Sequence, residues 1–119
     1  LTNILRDIHE DALTGRLYLP RELLDKHGVT ATTASQLLSD PAVARVCADL
    51  AELAREAFAV SEDLMRRLDR RKIRPAILMM AVYRQTLELL RQRGWDRLDM
   101  PVRLSRWAIL RLVLRHSLF

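Results

Sequence analysis

The sequence predicts an all-α protein, and two observations support this prediction. The 119 residues include only 3 Gly and 4 Pro, with 5% aromatic residues, whereas Leu, Ala, Arg and Glu are abundant. This composition favours helices over strands. Apolar residues also recur at spacings of three and four from Pro41 to about Leu68, as on one face of a packed helix. With 50% hydrophobic residues, the chain can bury one modest core, which indicates a single domain.

Turn and capping residues place the short elements at the amino end. Leu1 to about Thr14 is predicted as the end of a helix, closed by Gly15. Pro20 at a first helical position and Gly28 beyond the end predict a short helix. The polar connector over residues 30–39 can hold one more short helix.

A long helix is predicted from Pro41 to about Leu68, with Asp40 as its N-cap. Its acidic residues Glu52, Glu56 and Glu62 fall on the opposite face from the apolar ones, so we expect them to face solvent. The apolar residues are expected to pack in a bundle, and they are Val43, Val46, Cys47, Leu50, Leu53, Ala57, Phe58, Leu64 and Leu68.

Two further helices are predicted in the carboxyl half. In the first, from about Pro75 to Arg93, the run Ile77–Tyr83 is apolar on every face, so it is expected to be buried or to line a cavity. The last segment, Val102–Phe119, combines apolar residues with several arginines. It fits a terminal helix packed on the bundle, or alternatively a basic amphipathic helix lying on an anionic membrane surface.

Cysteine usage and hydropathy bear on location. The one cysteine excludes an internal disulfide, and the apolar spacing around Cys47 predicts a buried, inert thiol. The longest apolar run, Ala76–Tyr83, is shorter than the roughly 18 residues of a spanning helix, and the charged amino terminus is no signal peptide. We therefore expect a cytoplasmic protein, attached to the cytoplasmic face of a membrane if the last helix binds lipid.

The net positive charge of the chain is compatible with two kinds of partner. Net charge is +5, and of the 20 basic residues only Lys26 and Lys72 are lysines. Arginine suits phosphate binding and nucleic-acid surfaces alike. One basic cluster precedes Pro75 and comprises Arg66, Arg67, Arg70, Arg71, Lys72 and Arg74. It lacks interleaved aromatic residues for base stacking, so we expect a solvated helix end and no nucleic-acid partner.

The amino-terminal segment gathers three carboxylates and an amide. On a helix, Asn3, Asp7 and Asp11 lie one turn apart on one face, with Glu10 beside them. Asp7 and Asp11 would repel each other by about 0.2–0.5 kcal/mol, and a divalent cation would reverse that sign. Hard oxygen ligands without paired Cys or His favour Mg²⁺, with Mn²⁺ as an alternative. Mg²⁺ completes its octahedron with phosphate oxygens, which implies a diphosphate substrate.

The wider string around these carboxylates has a recognisable pattern. Asn-x-x-Arg-Asp-x-x-Glu-Asp, followed by Gly-Arg and an aromatic-x-Pro, resembles the second aspartate-rich motif of the squalene and phytoene synthase family. Every position of the pattern is filled, by Asn3, Arg6, Asp7, Glu10, Asp11, Gly15, Arg16, Tyr18 and Pro20. The alternative is a solvated acidic face on which Arg6 and Arg16 are local counter-charges.

The resemblance extends through Arg93-Gly94-Trp95 to residues 102–107 and implies a helical bundle of the isoprenoid synthase type. Within the family, the sequence is most similar to the bacterial hopanoid-pathway branch, whose enzymes condense two farnesyl diphosphates head to head to presqualene diphosphate. No NADPH is expected if synthesis stops there. Phytoene synthase-type condensation of geranylgeranyl diphosphate is the rival activity, and a non-catalytic helical binding or scaffold protein is the rival class.

The resemblance also implies roles for individual residues. Arg6 and Arg16 would stabilise the departing phosphate oxygens, and Tyr83 resembles an aromatic residue in the wall around the prenyl chains. Metal and diphosphate binding would fall to Asn3, Asp7, Glu10 and Asp11. The catalytic candidates are thus Asp7, Asp11 and Arg16, and the substrate-binding candidates are Asn3, Arg6 and Tyr83.

The family's first aspartate-rich motif lies upstream of the second, and no other acidic cluster of this kind stands in the sequence. We therefore expect residues 1–119 to be the carboxyl-terminal part of one synthase domain, without synthase activity alone. An open bundle would expose an apolar face, and dimerisation through that face is a further expectation.

Overall fold

The computed structural model of the chain describes the backbone of residues 1–118 and the side chains of residues 1–116, so Phe119 and the side chains of Ser117 and Leu118 lie outside it. Within residues 1–118 there are seven α-helices and no strand, which confirms the all-α prediction. None of these helices is both long and apolar enough to cross a membrane. Their bounds are α1 Thr2–Arg6, α2 Ile8–Leu13, α3 Arg21–Lys26, α4 Ala34–Ser39, α5 Val43–Met65, α6 Arg74–Arg93 and α7 Arg106–Leu118.

The two long helices α5 and α6 form a hairpin on which the other helices pack. Helix α1 lies against both of them, α3 lies against α5, and α7 lies against α6. The radius of gyration is 16.2 Å and the longest extent is 48 Å. A compact chain of this length would have a radius of gyration of about 13.5 Å. The molecule is therefore elongated along the hairpin.

The core lies at one end of this elongated molecule. The amino half of α5 and the carboxyl half of α6 meet helices α1–α4 there, and we call this region the core end. Its most deeply buried side chains are Leu5, Leu37, Val46, Cys47, Leu50 and Leu90. The hairpin end comprises residues 55–85, and none of these residues is buried.

The hairpin end differs from the sequence prediction. Leu53, just before it, and Leu64 and Leu68 within it are 48%, 55% and 56% exposed, so the predicted packing of these residues is wrong. Ala57 is also exposed, and Phe58 is half-buried. Helices α1 and α3 pack on α5 at the core end and α7 packs on α6, so these leucines beyond the core end stay exposed. The acidic Glu52 and Glu56 are exposed as predicted.

The apolar run of α6 is likewise not buried. Met79 is 61% exposed and the rest of the run is half-buried. Ile77, Met80 and Ala81 instead line a groove of about 460 Å³ between α5, α6 and α7. The prediction that this run lines a cavity therefore holds in part, whereas its burial does not.

Several helix boundaries also shift. The long helix begins at Val43 because the Asp40 Oδ1 accepts a hydrogen bond of 2.9 Å from the Ala42 amide before the helix starts. The last helix begins at Arg106, not at Val102. The Ser105 Oγ accepts a bond of 3.1 Å from the Ala108 amide and so caps the first turn.

Cys47 confirms its prediction. The side chain is fully buried in the core end. Burial raises the pKa of the Cys47 thiol to about 12, because the thiolate would lose its hydration. The thiolate, which is the reactive form, is therefore absent at neutral pH.

Candidate functional site

The acidic motif lies on a helix that bends at Asp7. Helix α1 ends at Arg6 and α2 begins at Ile8, because Asp7 adopts φ −104° and ψ 12°. The single helix predicted for this segment is thus two short ones. Hydrogen bonds nevertheless continue across the bend, from the Asp7 amide to the Asn3 carbonyl (3.0 Å) and from the Asp11 amide to the Asp7 carbonyl (2.8 Å).

Arg6 and Asp7 form a two-point ion pair at the bend. Arg6 Nε and Nη2 donate to Asp7 Oδ1 and Oδ2 over 2.8 and 3.0 Å. This pairing lowers the pKa of the Asp7 carboxyl and raises that of the Arg6 guanidinium. Both groups are therefore charged at neutral pH. The side chains remain 37% and 29% exposed, so a ligand can reach them.

Tyr83 is brought to the same place by helix packing. Thr2 and Leu5 are the buried face of α1, and α1 packs against α6. Asn3 Nδ2 consequently lies 3.5 Å from Tyr83 Oη, close enough for a weak hydrogen bond. The Tyr83 hydroxyl is also near enough to Arg6 to contribute to its raised pKa. Four candidates, Asn3, Arg6, Asp7 and Tyr83, thus share one surface.

Asp11 and Arg16 form a second group. The left-handed Gly15 (φ +74°) turns the chain back, and the Arg16 amide donates to the Asp11 carbonyl over 2.8 Å. Both side chains line a crevice of about 10 Å³, roughly the volume that admits one water. Among the described side chains, those of residues 1–116, no hydrogen bond joins this pair to Asn3 or Tyr83.

No closed metal cage is formed by the described residues. Among residues 1–118, no three Asp, Glu, His or Cys side chains are grouped to hold a metal ion. Glu10 is exposed, and its side chain lies close enough to Asp7 to help lower the pKa of that carboxyl. Mg²⁺ needs only one or two carboxylates when phosphate oxygens and water supply its other ligands. Asp7 and Asp11 fit that role individually, and the predicted set of Asn3, Asp7, Glu10 and Asp11 stays a prediction.

Arg103 is a residue of this site that the sequence prediction assigned to the last helix. It lies close enough to Asp7 to help lower the carboxyl pKa. Residues 101–105 are irregular, so Arg103 precedes α7. Pro101 and Ser105 were the available signals, because proline and a capping serine mark a helix start after Arg103.

Arg93 holds the loop that leads to Arg103. Gly94, at φ +89°, ends α6 and turns the chain. Arg93 then donates from Nε to the Gly94 carbonyl (3.1 Å) and from Nη1 to the Met100 carbonyl (2.9 Å). Its guanidinium also lies 5.8 Å from the ring centroid of Trp95. Burial lowers the pKa of Arg93 despite these contacts, and its buried Nη2 has no hydrogen-bond partner among the described residues.

Comparison with known proteins agrees with this fold and motif. Residues 1–108 match the family model described as squalene/phytoene synthase. The chain belongs to the squalene/phytoene synthase family. This family has the all-α isoprenoid synthase fold, in agreement with helices α1–α7. No solved structure shows significant similarity to the chain.

Individual relatives show which members of the family the chain is similar to. Two proteins named presqualene diphosphate synthase, from Sinorhizobium fredii and Rhodopseudomonas palustris, are each 42% identical over 118 residues, covering 99% of this chain and 42% of the relative. A protein named phytoene synthase from Mycobacterium bovis is 39% identical over 93 residues, covering 76% of this chain and 31% of the relative. The chain thus spans about two fifths of the length of the first two.

Proposed function

We propose that this chain carries the second aspartate-rich motif of a prenyltransferase that condenses two farnesyl diphosphates head to head to presqualene diphosphate. The main support for the proposal is the contact between Asn3 and Tyr83, which are 80 residues apart in sequence and lie beside the Arg6–Asp7 ion pair. Charged groups for a diphosphate and an aromatic side chain for its prenyl chain then lie side by side. The names of the two relatives that cover 99% of the chain support the same product.

The proposed reaction begins with departure of one diphosphate. The bond between C1 of the first substrate and its diphosphate oxygen breaks, leaving an allylic cation. Arg6 and Arg16 donate hydrogen bonds to the phosphate oxygens as negative charge develops there. The double bond of the second substrate captures the cation, and the released diphosphate accepts the proton whose loss closes a cyclopropane. The Tyr83 ring, half-buried on α6, is the described side chain that would shield this cation from water.

A divalent cation belongs to this proposal. Mg²⁺ bound with the diphosphate would neutralise the leaving group's charge. Asp7 and Asp11 are the carboxylates that would hold it, with Asn3 and Glu10 as further oxygen donors. The family's first aspartate-rich motif would have to come from another portion of the synthase, so we expect residues 1–119 alone to bind substrate without turning it over.

Calorimetry tests the binding half of this proposal. A non-hydrolysable farnesyl diphosphate analogue is titrated into the chain with and without Mg²⁺. The Asp7→Asn, Asp11→Asn variant is compared with the wild type. Binding that needs both Mg²⁺ and the two aspartates is the expected result. Truncating such charged ligand contacts is expected to cost at least about tenfold in affinity.

The matched control is Asp25→Asn, Asp63→Asn, which removes two exposed carboxylates outside the motif. The control should bind as the wild type does. Equal affinity in the Asp7→Asn, Asp11→Asn variant and the wild type would remove the motif from the proposal. Absence of binding by a wild-type chain with native helicity would instead favour the non-catalytic helical scaffold.

A phytoene synthase-type condensation of geranylgeranyl diphosphate is the second candidate. It is favoured by the relative named phytoene synthase at 39% identity. The same titration with a geranylgeranyl diphosphate analogue separates the two. Tighter binding of the longer analogue supports the second candidate, and tighter binding of the farnesyl analogue supports the first.

A further inference from the structure

Helix α7 presents an apolar stripe to solvent. Trp107, Leu110 and Leu114 are spaced at i, i+3 and i+7 and are 74%, 43% and 51% exposed. The opposite side of the helix carries Leu112, which lines the groove against α6. The packing of α7 on the bundle therefore uses one face and leaves a second apolar face open.

Positive charge borders this stripe on both sides. At 100° per residue, Arg106 falls on one side of the stripe and Arg111 and Arg115 fall on the other. Residues 100–119 contain no aspartate or glutamate. An apolar stripe with arginines on both sides is typical of helices that lie in a membrane interface, where the arginines reach the lipid phosphates.

The basic turn between α5 and α6 lies next to the end of α7. Arg66 and Arg70 line the same groove as Arg115 and His116. The turn over residues 66–73 therefore lies beside the positive surface of α7. Its carboxylate, Asp69, accepts a bond of 3.0 Å from the Arg71 amide. The carboxylate that lines the same groove, Glu62, is paired with Arg84.

We infer that α7 and the turn over residues 66–73 dock on an anionic lipid bilayer, with Trp107, Leu110 and Leu114 in the headgroup region and the arginines against phosphates. A largely exposed tryptophan such as Trp107 suits that interface. A nucleic acid would pair with the arginines but leave the stripe in water. A symmetric contact with a second copy would place Arg106, Arg111 and Arg115 beside the same arginines of that copy, so that like charges meet. The inference uses a different surface from the proposed diphosphate site and does not depend on it.

Vesicle binding of the 119-residue chain tests this inference. In a Trp95→Phe background, Trp107 is the one remaining tryptophan and reports its own environment. Large vesicles of phosphatidylcholine, with or without a quarter of phosphatidylglycerol, are sedimented with the chain. We expect binding to the anionic vesicles with a blue shift of Trp107 emission, and much weaker binding to pure phosphatidylcholine.

Two variants separate the contributions of the stripe and the charges. Arg106→Gln, Arg111→Gln should lower the partition coefficient about fivefold per arginine. Leu110→Gln, Leu114→Gln should lower it about tenfold or more, because the apolar area that enters the interface is lost. The matched control, Leu13→Gln, Leu53→Gln, removes two leucines that are 71% and 48% exposed elsewhere and should bind as the wild type does. Circular dichroism verifies native helicity in all of them.

Four outcomes would overturn the inference. Equal binding to neutral and anionic vesicles would show that the arginines do not contribute to binding. An equal loss of vesicle binding in the control variant would show that α7 does not make the contact. Tighter binding to duplex DNA than to anionic vesicles would make the basic surface a nucleic-acid site. A dimer in sedimentation equilibrium, with Trp107 already shielded without vesicles, would make the stripe an interface between copies.

Discussion

The core end and the hairpin end share two helices and one amphipathic pattern, but only the core end is closed. On α5, Leu50 is 1% exposed and Leu64, four turns further on, is 55% exposed. On α6, Leu90 is fully buried and Met79 is 61% exposed. The amphipathic pattern therefore shows which face of a helix can be buried. Whether it is buried depends on the elements that pack on it. Helices α1–α4 pack at the core end, and beyond it α1 contacts Tyr83 through Asn3.

The largest expected effect separates matched leucines on α5. Leu50→Ala should lower the free energy of unfolding by about 2–5 kcal/mol, because it leaves a cavity in a packed core. Leu64→Ala should change it by no more than about 0.5 kcal/mol, because its side chain already contacts water. Urea unfolding followed by circular dichroism measures both.

A cost of several kcal/mol for Leu64→Ala would break this comparison, because it would mean that the face is covered in solution. Repeating the measurement over a range of protein concentrations then tests the expected dimer. A midpoint that rises with concentration would identify a second copy as the cover.

Cys47 provides a smaller, chemical measure of the core end. The thiol is expected to be unreactive toward a chromogenic disulfide reagent at pH 8, since it is buried and its pKa is raised to about 12. Adding 8 M urea should release one full equivalent of reactive thiol per chain, roughly the signal of a free cysteine with its ordinary pKa of about 8.5. Rapid reaction of the folded protein would show that the core end opens readily.

The smallest effect concerns the ion pair that joins α5 to α6 at the hairpin end. Arg84 Nη2 lies 2.6 Å from Glu62 Oε2 and lowers the pKa of that carboxyl. A lowered pKa in the folded state stabilises the fold above the ordinary glutamate value of about 4.3, and this contribution is lost as the pH falls below it. Both side chains are nearly half exposed, so we expect a contribution of about 0.2–1 kcal/mol.

Glu62→Gln should therefore reduce the stability difference between pH 6 and pH 3, measured by urea unfolding. Glu56→Gln is the matched control, since Glu56 is exposed on the same helix and forms no ion pair within residues 1–116. An equal reduction of this stability difference in both variants would show that the ion pair between Glu62 and Arg84 does not stabilise the hairpin end.

Much of the fold was predictable from sequence because its signals are local. Gly28 and Gly94 mark the ends of helices, and both adopt positive φ angles. The apolar spacing from Val43 to Leu50 predicted a buried face, which the core end confirms. An exposed apolar face was expected of an open bundle, but the sequence did not show that Leu64 belongs to it, because the apolar spacing around Leu64 is the same as around the buried Leu50.

The candidate site was predictable in part for the same reason. The pattern from Asn3 to Arg16 is contiguous in sequence, and its family was recognised from it. The bend at Asp7 was not predictable, because it accompanies an ion pair between Asp7 and Arg6 that helical periodicity does not show. Arg103 was missed because its approach to Asp7 depends on the loop held by Arg93, a tertiary contact.

The contact between Asn3 and Tyr83 joins residues 80 positions apart. At roughly 5–20 residues per second, a ribosome adds Tyr83 about 4–16 s after Asn3. During that interval the apolar side of α1, with Leu5, has no α6 to pack against, and contacts of such long sequence separation form slowly. The site that Asn3 shares with Tyr83 can therefore assemble only after α6 has been made.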